Sequence, residues 1–253
     1  VRLFLREKSK VIPTPAAEAV YRHCVTVLRE LGQTANELRR YSKARSEHIT
    51  IGIIPALNRR CIAGALLQFE ENYPNVKIRI VEGMSLQFPG MVKSREIDFA
   101  LGIATPNEKG IRTTPVVSIP DCLVARRQPA DHDSIMVNWP QSPLKVCWPS
   151  GGYGRRDALA ARLAELGLSV SHDREVDSAF TTLDFVCRSE WVTIAPAILL
   201  DPEYDADRYS VRPLGADLQF KIELIEEKTT PMTQAAKAFV ELMQNRLESA
   251  VSL

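Results

Sequence analysis

The chain has 253 residues, 45% of them hydrophobic and 25% charged, which allows one large or two modest packed cores. Its formal charge of +1 hides an asymmetry: residues 1–48 carry ten Lys/Arg against five Asp/Glu, and the remainder carries 22 against 26. Five cysteines without CxxC spacing, no apolar run near the ~20 residues of a membrane span and no signal peptide argue against a disulfide scaffold, a cysteine metal cluster and a membrane partner, and lead us to expect a reducing, cytoplasmic setting.

Residues 1–15, VRLFLREKSKVIPTP, read as two short strands, Leu3-Phe4-Leu5 and Val11-Ile12, around a charged turn. Thr14-Pro15 supplies an N-cap and a first helical position, so a helix is expected from there to about residue 46. Ala17, Val20, Cys24, Val27, Leu31, Thr34, Leu38 and Tyr41 recur at alternating steps of three and four, which is a heptad seam. Such a helix packs on its own domain or pairs with a copy of itself. Charges on the opposite face (Arg22, Arg29, Glu30, Glu37, Arg40) favour pairing, with Val20, Cys24, Val27, Leu31 and Leu38 at the seam. The basic excess of this end suits either an anionic partner or a plainly solvated helix.

From residue 49 the period changes. Strands over 49–54, 76–81 and 97–103 alternate with helices over 56–72 and 86–96. This βαβαβ order requires a parallel sheet covered by helices, and ligands of such sheets bind at the carboxyl ends of the strands. Those ends hold Pro55, Ala56, Leu57 and Asn58 after the first strand, Met84, Ser85 and Leu86 after the second, and Gly102 and Ile103 at the third. Gly83 and Gly102 stand where a missing side chain would admit a ligand or a sharp turn to backbone N–H groups.

A second round follows: extended segments 111–117 and 121–125, a strand over 144–148, a helix over 155–166, a strand over 171–176, a helix over 180–189 and a strand over 191–195. Strands over 209–213 and 220–226 and a helix over 233–247 close the chain. The expected fold is α/β: two lobes joined by crossing strands, with one cleft between them. Lobe I takes residues 48–119 and 220–253, and lobe II residues 120–219.

PSGGYG, residues 149–154, lies between a strand and a helix and reads as a plain loop or as an anion cradle built from Ser150, Gly151, Gly152 and Tyr153. Ser178-Ala179-Phe180-Thr181 opens another helix at a strand end, and Thr193 sits in the strand that follows it, so Ser178, Phe180 and Thr193 are further ligand candidates. Histidines 23, 48, 132 and 172 have no metal-ligand spacing, no GxSxG elbow occurs, and no Cys–His pair follows from spacing. Catalytic residues, cofactors and metals are not expected. Cys147 and Cys187 read as core.

In this order the segments resemble the LysR-type transcriptional regulators. LFLREKSKVIPTPAAEAVY is similar to the end of that family's winged helix-turn-helix, whose usual form is LFxR, a basic wing, then LTPAG. ITIGIIPALNRRCIAGALLQFEENYPNVKIRIVEG, followed by VKSREIDFALGI, resembles the first half of its effector domain. WVTIAPAIL is similar to its G-x-G-I-x-x-L-P segment and TTPMTQAAKAFVELM to its closing helix. The sequence departs from the family at Arg188-Ser189-Glu190-Trp191, where a Gly-rich AGxG is usual, and at Pro55-Ala56-Leu57-Asn58, where Ser/Thr residues often stand.

The resemblance implies a periplasmic-binding-protein-like effector domain, a linker helix over 15–47 and, over 1–14, the tail of a winged helix-turn-helix. The base-reading helices would lie before residue 1. Arg2, Arg6, Lys8 and Lys10 would be wing residues on DNA phosphates. The expected function is transcription regulation by a small effector, as a homodimer or homotetramer. The alternative is a solute-binding protein of the same two-lobed fold serving transport. The residues at the strand ends, with Phe88, Tyr153, Phe180 and Trp191 as added aromatic walls, lead us to expect a small aromatic or largely apolar effector. Its one polar or anionic end would point at lobe II.

Overall fold

The computed structural model describes residues 1–7, 10–41, 48–103, 108–127, 143–148, 155–215 and 218–251. Strands β1 (Phe4–Glu7) and β2 (Lys10–Pro13) form an antiparallel hairpin with Phe4 opposite Pro13. Helix α1 (Pro15–Tyr41) starts directly after it. Thr14 Oγ1 accepts from the Ala17 N–H at 3.3 Å and donates to the Arg2 carbonyl at 2.9 Å, so one side chain caps the helix and ties it to the hairpin. Along α1, Val20, Cys24, Val27 and Leu31 are exposed, the last two at 57% and 61%. The Leu38 side chain and residues 42–47 lie outside the described residues.

Among the described residues the main sheet has nine strands. Its first parallel set is β3 (His48–Ile53) flanked by β4 (Lys77–Glu82) and β5 (Phe99–Ile103). Its second is β7 (Leu144–Trp148) flanked by β8 (Val170–Glu175) and β9 (Val192–Pro196). Two antiparallel strands join them: β6 (Ile111–Arg126) and β11 (Gln219–Glu227), with β10 (Tyr209–Pro213) paired to the far half of β6. The order β4-β3-β5-β11-β6-β9-β7-β8 thus repeats one pattern, a central first strand with its two successors on either side, in each lobe. The architecture is a two-lobed, periplasmic-binding-protein-like α/β fold.

Residues 111–117 and 121–125, expected as two segments, form one 16-residue strand. Pro115 and Pro120 interrupt the sequence pattern without breaking the strand. The register slips beside Pro115, between Ile222 and Glu223 of the partner. Pro120 is the last β6 residue paired with β11, before the partners become β9 and β10. Prolines are tolerated where a ladder bulges or changes hands.

Helices cover the sheet. Residues 55–72 form α2 (Pro55–Leu57), a π-turn segment (Asn58–Ile62) and α3 (Ala63–Asn72) in succession, and a 3-10 turn (Ser85–Gln87) leads into α4 (Phe88–Lys93). Lobe II adds α5 (Arg155–Glu165) and α6 (Ala179–Cys187). A 3-10 turn (Ala197–Leu199) and α7 (Pro202–Asp205) were not foreseen, and α8 (Gln234–Val251) closes the chain. The larger core joins Ile51, Phe88 and Phe239 to Leu183, Ile198 and Leu199, so one apolar mass runs from lobe I under the crossing strands into lobe II. A smaller core around Val146, Leu159 and Ile194 lies within lobe II.

Candidate functional site

A cavity of about 150 Å³ opens between the lobes. Lobe I contributes Ile54, Pro55, Ala56, Met84 and Ile103, all at or just beyond the carboxyl ends of β3, β4 and β5. The crossing strands contribute Asp121 and Phe220. Lobe II contributes Arg155, Arg156 and Leu159 from α5, Val176 to Leu183 in part from the entry and first turns of α6, and Thr193–Pro196 from β9, with Leu199 behind. The wall is mostly aliphatic, and its charged groups sit on lobe II and the crossing strands.

The ion pair of Asp121 and Arg155 is the main polar feature. Asp121 is 1% exposed and accepts a charge-assisted hydrogen bond from Arg155 Nη2. The guanidinium also lies over the Phe220 ring, 4.7 Å from its centroid. Burial pushes the Asp121 carboxyl up to about 6, against the pull of Arg155, and burial likewise lowers the Arg155 pKa. Beside it, burial and the Asp121 charge push the Cys122 thiol up to about 11. Desolvation outweighs pairing at this point, so the pair holds α5 against the crossing strands at a net electrostatic cost.

Arg156 is also engaged: it bonds Asp173, approaches Glu175 at 3.6 Å and lies over Trp148 at 5.5 Å. Ser178 caps α6 by accepting from the Thr181 N–H at 3.3 Å, with the Thr181 hydroxyl 3.0 Å from the same oxygen. One turn on, Thr182 Oγ1 is buried without a conventional hydrogen-bond partner. It leans on the Cys147 thiol, which burial pushes up in pKa while Thr182 and the Arg174 charge pull the other way. Thr193 Oγ1 donates to the Cys147 carbonyl at 2.7 Å and is thereby spent within the fold.

Of the residues expected at the ligand, Pro55, Ala56, Met84, Ile103 and Thr193 come together on the wall. Leu57 does not: it is fully buried in the lobe I core. Ser85 is also fully buried, and its hydroxyl accepts from the Ile103 N–H at 2.8 Å. Gly102 is closed by this same group, since a Cβ there would lie 2.7 Å from Ser85 Oγ. Gly52 and Gly83 leave room in the same way for the Phe88 ring, 3.0 Å from either Cβ position. The glycines at the lobe I strand ends therefore admit Phe88 and Ser85, not a ligand. Phe88, expected as a ligand wall, is 0% exposed and is core.

Leu86 and Phe180 are exposed beside the cavity but do not line it, and Ser178 is occupied as a cap. Trp191 turns away to sit with Phe185 under the Arg174 guanidinium. Ser150, Gly151, Gly152 and Tyr153 lie outside the described residues, as do Lys8 and the side chains of Asn58 and Arg6; Arg2 and Lys10 are exposed on or beside the hairpin. Sequence reasoning missed Asp121, Arg155 and Thr182. An acidic residue inside the apolar run IPDCLVA was the one available signal for Asp121. Among the described residues no three His, Cys, Asp or Glu side chains are placed to hold a metal ion, and no helix is long and apolar enough to cross a membrane.

Residues 42–248 match the LysR substrate binding domain. The HTH-type transcriptional regulator TdcA of Escherichia coli (strain K12) is 20% identical over 245 residues, which span 96% of this chain and 78% of that protein. Among solved structures, the BenM effector binding domain with its effector benzoate superposes with a TM-score of 0.64 at 16% identity, covering 80% of this chain and 93% of that one. Full-length CbnR complexed with its target DNA gives 0.62 at 14% identity, covering 97% and 84%. The chain belongs to the LysR-type transcriptional regulators, and its two-lobed body is their substrate-binding domain.

Proposed function

We propose that the chain senses a small, largely apolar or aromatic effector in the cleft between its lobes and passes the state of that cleft to DNA. One observation carries this reading: aliphatic side chains of both lobes face one another across the carboxyl ends of two parallel strand sets, with the polar groups gathered on the far side. An apolar body laid against Ile54, Met84 and Leu183 gains roughly 2–3 kcal/mol from burial, and its one polar end turns toward lobe II. A ligand touching both walls binds the closed clamp better than the open one, which shifts the lobe angle and the promoter binding that depends on it. That BenM's domain is solved with its effector benzoate favours a small-molecule effector for this domain, and the CbnR complex favours DNA as the partner.

In the same reading residues 1–14 form a wing whose Arg2, Arg6, Lys8 and Lys10 meet phosphates and add affinity without reading sequence. Residues 15–47 pair two copies through Val20, Cys24, Val27, Leu31 and Leu38, and residues 48–253 hold the effector. The exposed apolar seam of α1 favours pairing. Sedimentation of Val27→Asp with Leu31→Asp should show loss of a dimer or tetramer that the parent chain forms; a parent chain that sediments as a monomer at every accessible concentration would remove this element.

The effector reading is tested by two neighbours. Met84 lines the cavity and Leu86 does not, though both are exposed. In calorimetric titrations with single-ring ligands, Met84→Ala should weaken binding about 3- to 10-fold and Leu86→Ala should leave it unchanged. Equal effects, or none at Met84, would place the ligand elsewhere.

A further inference from the structure

The charges on the cleft wall answer one another before any ligand arrives. Arg155 is committed to Asp121, and Arg156 to Asp173 and Glu175. The remaining charged side chain on the described wall is Asp177, an exposed carboxylate just ahead of α6. It precedes the positive end of that helix by two residues, and Ser178 caps the same end. The segment PSGGYG that precedes Arg155 brings no charged residue. Among the described residues two cations and two carboxylates thus line the cavity, and the unpaired one is negative.

We infer that the cleft is built for an uncharged effector: an apolar body about the size of one ring, ending in a neutral hydrogen-bond acceptor such as an amide or ketone. This rests on the cleft being the effector site. A 150 Å³ apolar cavity is of the size that holds a benzene ring. A neutral carbonyl can accept from the N–H groups that Arg155 does not spend on Asp121, because a guanidinium has five and its bond to Asp121 uses Nη2. A carboxylate ligand on those same N–H groups would bring a second negative charge against a carboxyl 1% exposed, and one that drew Arg155 away would strip that buried carboxyl of its partner. Either would also approach Asp177. An acidic effector is disfavoured by the groups that look at first like its receptor.

Benzamide, benzoate and benzylamine have the same ring and nearly the same size but differ in charge. Titrated into this chain near neutral pH, benzamide should bind at least about tenfold more tightly than benzoate or benzylamine. Asp121→Asn, which frees Arg155, should move the benzoate-to-benzamide affinity ratio about tenfold or more toward benzoate. Benzoate or benzylamine binding the parent chain more tightly than benzamide would overturn the charge inference and leave the cleft reading standing. If none of the three binds at low-millimolar concentration, the cleft reading itself fails and this inference with it. Should the Asp121 variant not fold, the comparison on the parent chain decides alone.

Discussion

The two lobes end their parallel strands in opposite ways. In lobe I the carboxyl ends of β3, β4 and β5 are sealed by the protein itself: the Phe88 ring sits against Gly52, Gly83 and Gly102, and Ser85 bonds the Ile103 N–H. What reaches the cavity is an aliphatic rim of Ile54, Ala56, Met84 and Ile103. In lobe II the corresponding ends present Arg155, Arg156, Asp177 and Thr182, and the crossing strand adds Asp121. The same strand pattern therefore yields a greasy wall on one side and a charged one on the other. A glycine at a strand end marks close packing as readily as it marks a ligand, and only the neighbours tell which.

The largest effect should come from the lobe I plug. Phe88→Ala empties the space over three strands and should cost about 3–5 kcal/mol in urea unfolding, with ligand affinity changed little in whatever folds. A variant of normal stability that loses ligand would reverse the assignment of Phe88 to the core.

Next in size is the carboxylate of the crossing strand. Asp121 titrates at about 6 in the fold and near the ordinary ~3.9 when unfolded, so the folded state holds its proton more tightly. Its contribution to stability is therefore greatest below about pH 4, declines as pH rises toward about 6, and is level above that. Stability relative to Asp121→Asn should fall by up to ~3 kcal/mol across that window, from a shift of ~2 units. A difference that is flat from pH 4 to 7, or that rises, would mean that Arg155 outweighs burial.

Much of the fold was legible because the strands and helices of both lobes carry clear periodicity. The βαβαβ run 49–103 reads directly from alternating strand and helix patterns, and the heptad steps of α1 from its three-and-four spacing. The expected segment 111–117 ran through Pro115, but the expected break before residue 121 fell at Pro120; whether a proline breaks a strand depends on its ladder partner, which lies about 100 residues away. The site was half legible. Position at a strand end picked out Pro55, Ala56, Met84 and Ile103, which lie on the cavity wall, but could not tell them from Leu57 and Ser85 next to them, which turn inward. Asp121 and Arg155 belong to no motif and meet only when β6 crosses between lobes, so their pairing is a property of the folded chain.

The contrast between the lobes is tested most directly by amide hydrogen exchange with and without a saturating single-ring ligand such as benzamide. The account predicts added protection at residues 176–183 and 193–196 of lobe II, a smaller gain at residues 54–56, and no change at residues 85–88, where Phe88 and Ser85 already close the strand ends. Protection concentrated at residues 83–88 and 99–103, with lobe II unchanged, would contradict it.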